Sequence, residues 1–401
     1  MRDLLYLAHR IPYPPDKGDK VRSFQEVQHL ARSFRVHLGT FVDDPHDWAH
    51  VVHLREYCGE THFARLDPPL ARLRSLSGLL RGEALSLAYY RDAGLAHWVR
   101  EMLRAYPIRH CLIYSSPMAQ YLRHSPQLVR VADFVDVDSE KWRQYAAARA
   151  WPLSWVYARE SRTLAAFERE IAREFDATLL VTSQEAQVLR AMAPESALRI
   201  GHVDSGVDAE YFSPMRAYDN PHPARTQPIV FTGSMDYWPN VDAVRWFATE
   251  IFPAVRARHT QAHFCIVGAR PSANVRKLAT LDGVVVTGSV PDVRPYLAHA
   301  RLAVAPLRFA RGLQNKILEA MAMARTVVAS PEGATGITAR AGAELLVASG
   351  PGACADTVSR YLTSDARHAV GAAARARVLA DYSWRTNLGR LDDLLAAGAA
   401  P

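Results

Sequence analysis

The sequence predicts an α/β protein made of two Rossmann-like parallel-sheet domains facing each other. Short apolar, β-branched runs alternate with amphipathic segments of helix length from one end of the chain to the other, the order that builds parallel sheets. A proline-rich interruption falls near the middle, where Pro214, Pro221 and Pro223, with Asn220, replace periodic sequence. The 401 residues are enough for two domains of ordinary size, and 49% hydrophobic against 22% charged residues gives each a core.

In the first half the pattern places strands at 4–8, 36–41, 61–64, 111–114, 131–135 and 178–182. In the second half it places them at 229–232, 263–267, 284–287, 302–305, 327–329 and 344–347. Helix-length amphipathic segments separate most of them, for example 242–250 and 295–300. The domains expected are therefore 1–206 and 228–381, with 207–227 as linker and 382–401 as a terminal helix. No internal repeat stands out, and the Ala-rich run at 371–377 is the one low-complexity stretch.

Cys58, Cys111, Cys265 and Cys354 are far apart and form no C-x-x-C pair, which points to reduced thiols and a cytoplasmic setting rather than disulfides or zinc. The chain enters a strand pattern at once and has no apolar run near eighteen residues, so neither a signal peptide nor a membrane span is expected. The net charge of +7 favours an anionic partner. Between Arg65 and Arg109 eight arginines stand against Asp67, Glu83, Asp92 and Glu101, with Leu70, Leu73, Leu76, Leu79, Leu80, Tyr89, Tyr90 and Trp98 among them. Such a stretch suits an anionic membrane surface, the inner face for a cytoplasmic protein; the alternative is a helix packed on its own domain with arginines outward. The basic residues are spread and form no recognised nucleic-acid module, so nucleic acid is not an expected partner.

Ligands of open α/β sheets bind beyond the C-terminal ends of the strands. After the first strand, prolines fix a loop, Gly18 permits close backbone approach, and Lys17, Lys20 and Arg22 cluster where a helix begins, a pattern that fits phosphate. No G-x-G-x-x-G follows any strand, which argues against a nicotinamide or flavin enzyme. After the fifth expected strand come Asp136, Asp138 and Lys141. Two acids there can bind sugar hydroxyls, orient an acceptor or hold a metal; the plainer reading is that Asp138 or Ser139 caps a helix starting near Lys141. Ser115 and Ser116 follow the fourth strand, and no His-plus-acid set makes them a hydrolase site. His46, His50 and His53 share a helical face, yet neighbouring aspartates and the lack of cysteine favour a solvated helix over a metal site. Trp142, Tyr145, Trp151, Trp155 and Tyr157, interleaved with arginines, grip a lipid or simply pack.

The most telling stretch runs from Arg311 to Ala322. Gly312 and Leu313 precede a helix starting near Gln314, so backbone amides, Arg311 and Lys316 converge on one point, as a diphosphate requires. Glu319 lies three residues past Lys316 on the same face, where its carboxylate can reach a ribose; the alternative is an ordinary amphipathic helix with Glu319 solvated.

Read with residues 230–241, 266–269, 286–293, 306–330 and 382–384, this stretch resembles the nucleotide-sugar domain of glycosyltransferase family 4, which has the GT-B fold. More narrowly, residues 12–22, 136–142 and 315–322 resemble the sugar transferases found with bacterial exosortase and exopolysaccharide systems. The resemblance implies a retaining hexosyltransferase that moves sugar from a UDP- or GDP-sugar to a glycan or polyprenyl-linked exopolysaccharide precursor, with no cofactor and no metal. It implies a terminal helix that crosses back to the first domain. Glu319 matches the second Glu of the family's E-x7-E motif, which bonds the donor ribose, while Arg311 stands where the first Glu would be. The family also places an Arg and a Lys after the Gly matching Gly233; Ser234-Met235-Asp236 has neither, which leaves Arg311 and Lys316 to neutralise the diphosphate. The expected donor residues are Gly18, Gly233, Ser234, Gly312, Leu313, Asn315, Lys316 and Glu319. Asp136, Arg311 and Lys316 are the expected catalytic groups, and Lys17, Lys20, Arg22, Ser115, Asp138 and Lys141 lie on the acceptor side. Two rival functions remain, a GT-B-fold nucleotide-sugar epimerase and a non-catalytic scaffold in a polysaccharide-assembly complex.

Overall fold

The computed structural model describes residues 1–15, 18–123, 125–310 and 312–397. The chain divides into two compact units: Met1–Asp204 with the chain from Arg385 onward, and Ser205–Trp384.

In the first unit β1 (Arg2–Ala8), β2 (Phe34–Val42), β3 (Cys58–Arg65), β4 (His110–Tyr114), β5 (Val129–Val135), β6 (Ala177–Leu180) and β7 (Ile200–His202) form one sheet in the order β3-β2-β1-β4-β5-β6-β7. The pairings are parallel. Central strands of such a sheet are covered on both faces, so Leu4 through Ala8 are all fully buried with no polar alternation. The second unit repeats the plan with β8 (Gln227–Thr232), β9 (Ala262–Val267), β10 (Val284–Gly288), β11 (Leu302–Ala305), β12 (Val327–Ala329) and β13 (Leu346–Val347), in the order β10-β9-β8-β11-β12-β13 and again parallel. In each sheet the order reverses beside the first strand, between β1 and β4 and between β8 and β11. Crevices form at such reversals because the two flanking connections leave in opposite directions.

The proline-rich segment 207–227 lies within the second unit. Val207 is buried there and its N–H donates to the Tyr382 carbonyl at 2.9 Å, while Phe212 and Tyr218 pack on the same apolar cluster. The helix expected at 242–250 runs from Trp238 to Trp246 and continues as a wider π turn, Phe247–Ile251; Pro253, which has no N–H to donate, is the second residue of the helix Phe252–Arg258 that follows.

His46, on the 3-10 turn Pro45–His50, bonds Asp44, and His53 packs its ring 4.2 Å from that of Tyr13. Among the described residues no group of three His, Cys, Asp or Glu side chains is placed to hold a metal ion. No helix among them is long and apolar enough to cross a membrane.

Candidate functional site

The β8/β11 crevice collects most of the expected donor residues. β8 ends at Thr232, and Gly233 turns the chain with φ 157°. A Cβ at Gly233 would lie 2.8 Å from Asn240 Nδ2, so glycine lets that side chain close on this backbone, with Lys316 Cε just beyond at 3.4 Å. Asn240, almost fully buried, donates from Nδ2 to the Ser234 carbonyl at 2.9 Å and pins the loop. The loop after β9 is stitched to it: Gly233 N–H donates to Val267 O at 3.0 Å and Met235 N–H to Ala269 O at 2.8 Å.

From the other side of the crevice comes the helix Asn315–Ala322. Its buried residues Ile317, Leu318, Ala320, Met321 and Ala322 anchor it, and Gly312 just before it takes φ 58°, a left-handed turn that favours glycine. The Gln314 side chain at the N-cap does not bond the first amides of the helix. Lys316 and Glu319 keep a little surface, but the atoms around their charged heads are dense. Burial lowers Lys316 to about 8 against the opposing pull of Glu319, and burial raises Glu319 to about 7 against the pull of Lys316. Lys316 Nζ lies 5.6 Å from the Phe231 ring centre and 3.2 Å from Gln314 Oε1. The structure thus brings Gly233, Ser234, Asn315, Lys316 and Glu319 to one crevice, with Gly312 and Leu313 on the loop leading in. Arg311 lies outside the described residues.

Arg270 was missed by the sequence reading. It leaves the loop after β9 with φ 52° and donates to Asp236 Oδ2 at 2.7 Å and to Ser234 Oγ at 2.9 Å. Burial works to raise the Asp236 carboxyl, and the bonds from Ser234 and Arg270 outweigh it and hold the group below its ordinary value. The acid on the Gly233 loop is thereby neutralised by a cation from the neighbouring loop. Arg294 was missed too: its guanidinium lies 3.6 Å over the Tyr211 ring while it pairs with Asp292 at 2.7 Å. Burial first, then Asp292, raise the Tyr211 hydroxyl against the pull of Arg294.

In the first unit the expected residues are spread along the corresponding edge. Gly18 opens the helix Gly18–Leu30, and Lys17 lies outside the described residues. Lys20 and Arg22 are buried and tied down. Lys20 Nζ meets Asp47 Oδ2 at 2.7 Å; Arg22 Nη2 meets Asp133 Oδ2 at 2.6 Å, its Nη1 donates to Val203 O at 2.8 Å, and Glu26 Oε1 lies 3.2 Å from its Nε. Their charge is spent inside the unit, where Lys20 fastens the helix to the turn Pro45–His50 and Arg22 fastens it to β5. Removing one member of such a set strands the others in a low dielectric, so Arg22→Ala costs about 3–5 kcal/mol; chemical denaturation reads this as a lowered midpoint, and a wild-type midpoint would refute the structural role.

Ser115 directly follows β4 with φ 78° and Val135 ends β5 with φ 69°; the β-branched side chain of Val135 makes left-handed backbone costly. Asp133 supports both bends, its carbonyl accepting from Ser115 N–H at 2.7 Å and its Oδ1 from Val135 N–H at 2.9 Å. Asp136 follows on this strained edge. The helix expected near Lys141 begins at Asp138, and neither Asp138 nor Ser139 caps it: Val137 N–H donates to Glu185 Oε2 at 2.9 Å and Ser139 N–H to Glu168 Oε1 at 3.3 Å, with the Ser139 hydroxyl also on Glu168. Burial pushes Glu168 up to about 8 despite these bonds. Lys141 Nζ reaches Asp138 Oδ1 at 3.4 Å. Glu168 stands in the apolar stripe of Leu164, Phe167 and Ile171, and an acid in such a stripe is the signal that marks a buried partner.

Residues 226–364 match the family model for "Glycosyl transferases group 1". Among curated proteins no sequence matches the chain. The fold is that of solved glycosyltransferase structures. Sucrose-phosphate synthase (tll1590) from Thermosynechococcus elongatus aligns with TM-score 0.73 at 19% identity, covering 99% of this chain and 100% of that one. Anabaena Alr3699/HepE in complex with UDP and glucose aligns with TM-score 0.66 at 14% identity, covering 99% and 100%. WaaG, a glycosyltransferase involved in lipopolysaccharide biosynthesis, aligns with TM-score 0.66 at 15% identity, covering 98% and 99%. The class defined is the GT-B fold, and the family match supports a glycosyltransferase of group 1.

Proposed function

We propose that this protein is a retaining glycosyltransferase that transfers a hexose from a UDP- or GDP-sugar to a glycan or polyprenyl-linked exopolysaccharide precursor at the cytoplasmic face of a membrane. The observation that carries the donor half is the meeting of Gly233 and Lys316 at the sheet reversal, with Glu319 one turn further along. The Anabaena relative, solved with UDP and glucose, supports a nucleotide-sugar donor.

The bond that breaks joins the anomeric carbon to a diphosphate oxygen, and negative charge grows on the leaving diphosphate. The Lys316 ammonium and the first amides of its helix meet that charge, and fixed groups lower the barrier because they need no rearrangement as it develops. Arg311 would add a second cation. Arg270 keeps Asp236 from opposing them. Glu319 takes the ribose hydroxyls and no metal is needed. On the first unit, Ser115, Asp136, Asp138 and Lys141 offer acceptor contacts, and Asp136 is the acid best placed to orient a hydroxyl.

The test is incubation of the protein with UDP- and GDP-sugars with and without a polyprenyl-diphosphate-linked glycan. The expected result is acceptor-dependent release of nucleoside diphosphate and a product with the donor's anomeric configuration. Acceptor-independent turnover would favour the epimerase reading, and no turnover with any donor would favour the scaffold.

A further inference from the structure

The helix Pro68–Ser75 and the short helix Ser77–Arg81 are built inside out. Their inward residues are small, Ala71, Ser75 and Gly78, while the leucines face solvent: Leu73 is 68% exposed and Leu80 93% exposed, with Leu76 and Leu79 also open. A water-facing helix puts leucine in and small polar residues out, so this arrangement leaves much of its leucine surface open to solvent. A second exposed group lies alongside. Arg159 Nη2 donates to Gly78 O at 3.0 Å, and Trp155 stands one turn before Arg159 on the same face of its helix. Trp155 is exposed and Trp151, just upstream, is 81% exposed.

The charge around these side chains is mostly positive, with Asp67, which caps the first helix, and Glu83 just beyond the two ends. Residues 68–82 contain Arg72, Arg74 and Arg81 and no acid, and residues 146–155 contain Arg149 and no acid. All four arginines are exposed, and the nearest carboxylate to Arg81 is Glu83 at 3.9 Å, itself held by Arg91 at 2.7 Å.

We propose that this face of the first unit, leucines and tryptophans ringed by exposed arginines, docks on an anionic lipid bilayer. Leucine and tryptophan enter the headgroup boundary while guanidinium groups meet lipid phosphates. The arginines choose the occupant, since a second copy of this chain would bring the same positive ring against itself. The inference deepens the membrane-adjacent reading above and rests on it for location, but its residues are separate from the donor site.

Flotation of the full chain with vesicles is the test. Wild type is expected to bind vesicles of phosphatidylcholine containing about a third phosphatidylglycerol, to bind pure phosphatidylcholine at least tenfold less, and to release as salt rises. Arg72→Ser/Arg74→Ser/Arg81→Ser and Leu73→Ser/Leu80→Ser are each expected to lose at least tenfold in binding with unchanged melting temperature and unchanged stabilisation by UDP, a readout of the donor site alone. Equal binding by wild type and variants, no preference for anionic lipid, or no flotation overturns the proposal. So does a wild-type dimer by light scattering that Leu73→Ser/Leu80→Ser converts to monomer, which makes the face a contact between copies.

Discussion

Lys316→Ala lowers kcat/KM for the donor sugar by about 100- to 1000-fold, the effect of removing one fixed group from a leaving charge. The pH dependence is the sharper signature. Lys316 has a folded value depressed to about 8, so between there and its unfolded value near 10.5 the folded chain holds fewer protons than the unfolded one. The free protein therefore gains stability from this group as pH rises through that window, and lacks that gain below about 8. A bound diphosphate reverses the preference by favouring the ammonium. UDP affinity is accordingly expected to fall above pH 8, by up to about tenfold per unit for one coupled proton. Calorimetric titration from pH 7 to 9.5 checks this, and Lys316→Arg, which stays charged, removes the slope. A wild-type slope that survives in Lys316→Arg would assign the proton to another group.

Gly268→Ala is the substitution expected to damage the second unit most. A Cβ there would sit 1.7 Å from the Gly233 carbonyl oxygen and 2.8 Å from its carbon, both backbone atoms of a loop pinned on two sides, so neither can yield as a flexible side chain does. Gly268 also takes φ 156°, a conformation few side chains adopt. Overpacking with backbone strain costs about 3 kcal/mol or more, which lowers the melting midpoint of a unit this size by on the order of 6–12 °C. Because the displaced atom belongs to Gly233, nucleotide binding is expected to fall with it. Gly352→Ala, at a helical glycine with nothing within 4 Å, is the control and leaves the midpoint unchanged or slightly raised. Equal midpoints for the two variants would contradict the close approach of the two loops.

What the sequence disclosed follows from range. β11 and β12 form with the expected bounds because each is an apolar run in a sheet buried on both faces, a purely local signal. β7 was not expected: Ile200-Gly201-His202 has no periodicity and becomes a strand only by pairing with β6. The start of the helix at Asp138 was misplaced because its amides are held by carboxylates 29 and 48 residues away, beyond any capping window. Lys20 and Arg22 looked like anion ligands from their spacing alone, and their partners Asp47 and Asp133 come from other elements. In the second unit Gly233 directly follows β8 and Lys316 opens the helix that joins β11 to β12, so their neighbourhood was legible, whereas Arg270 reaches the same place from the loop after β9 and carried no motif of its own.

The central claim is that the crevice between β8 and β11 holds a nucleoside diphosphate sugar. Thermal unfolding of the wild type and of Glu319→Ala with UDP, GDP, ADP and their sugar conjugates tests it most directly, since a ligand that binds only the folded chain raises its midpoint. The account requires a rise with one nucleoside diphosphate family that Glu319→Ala abolishes. No rise with any nucleotide, or an equal rise in the variant, would contradict it.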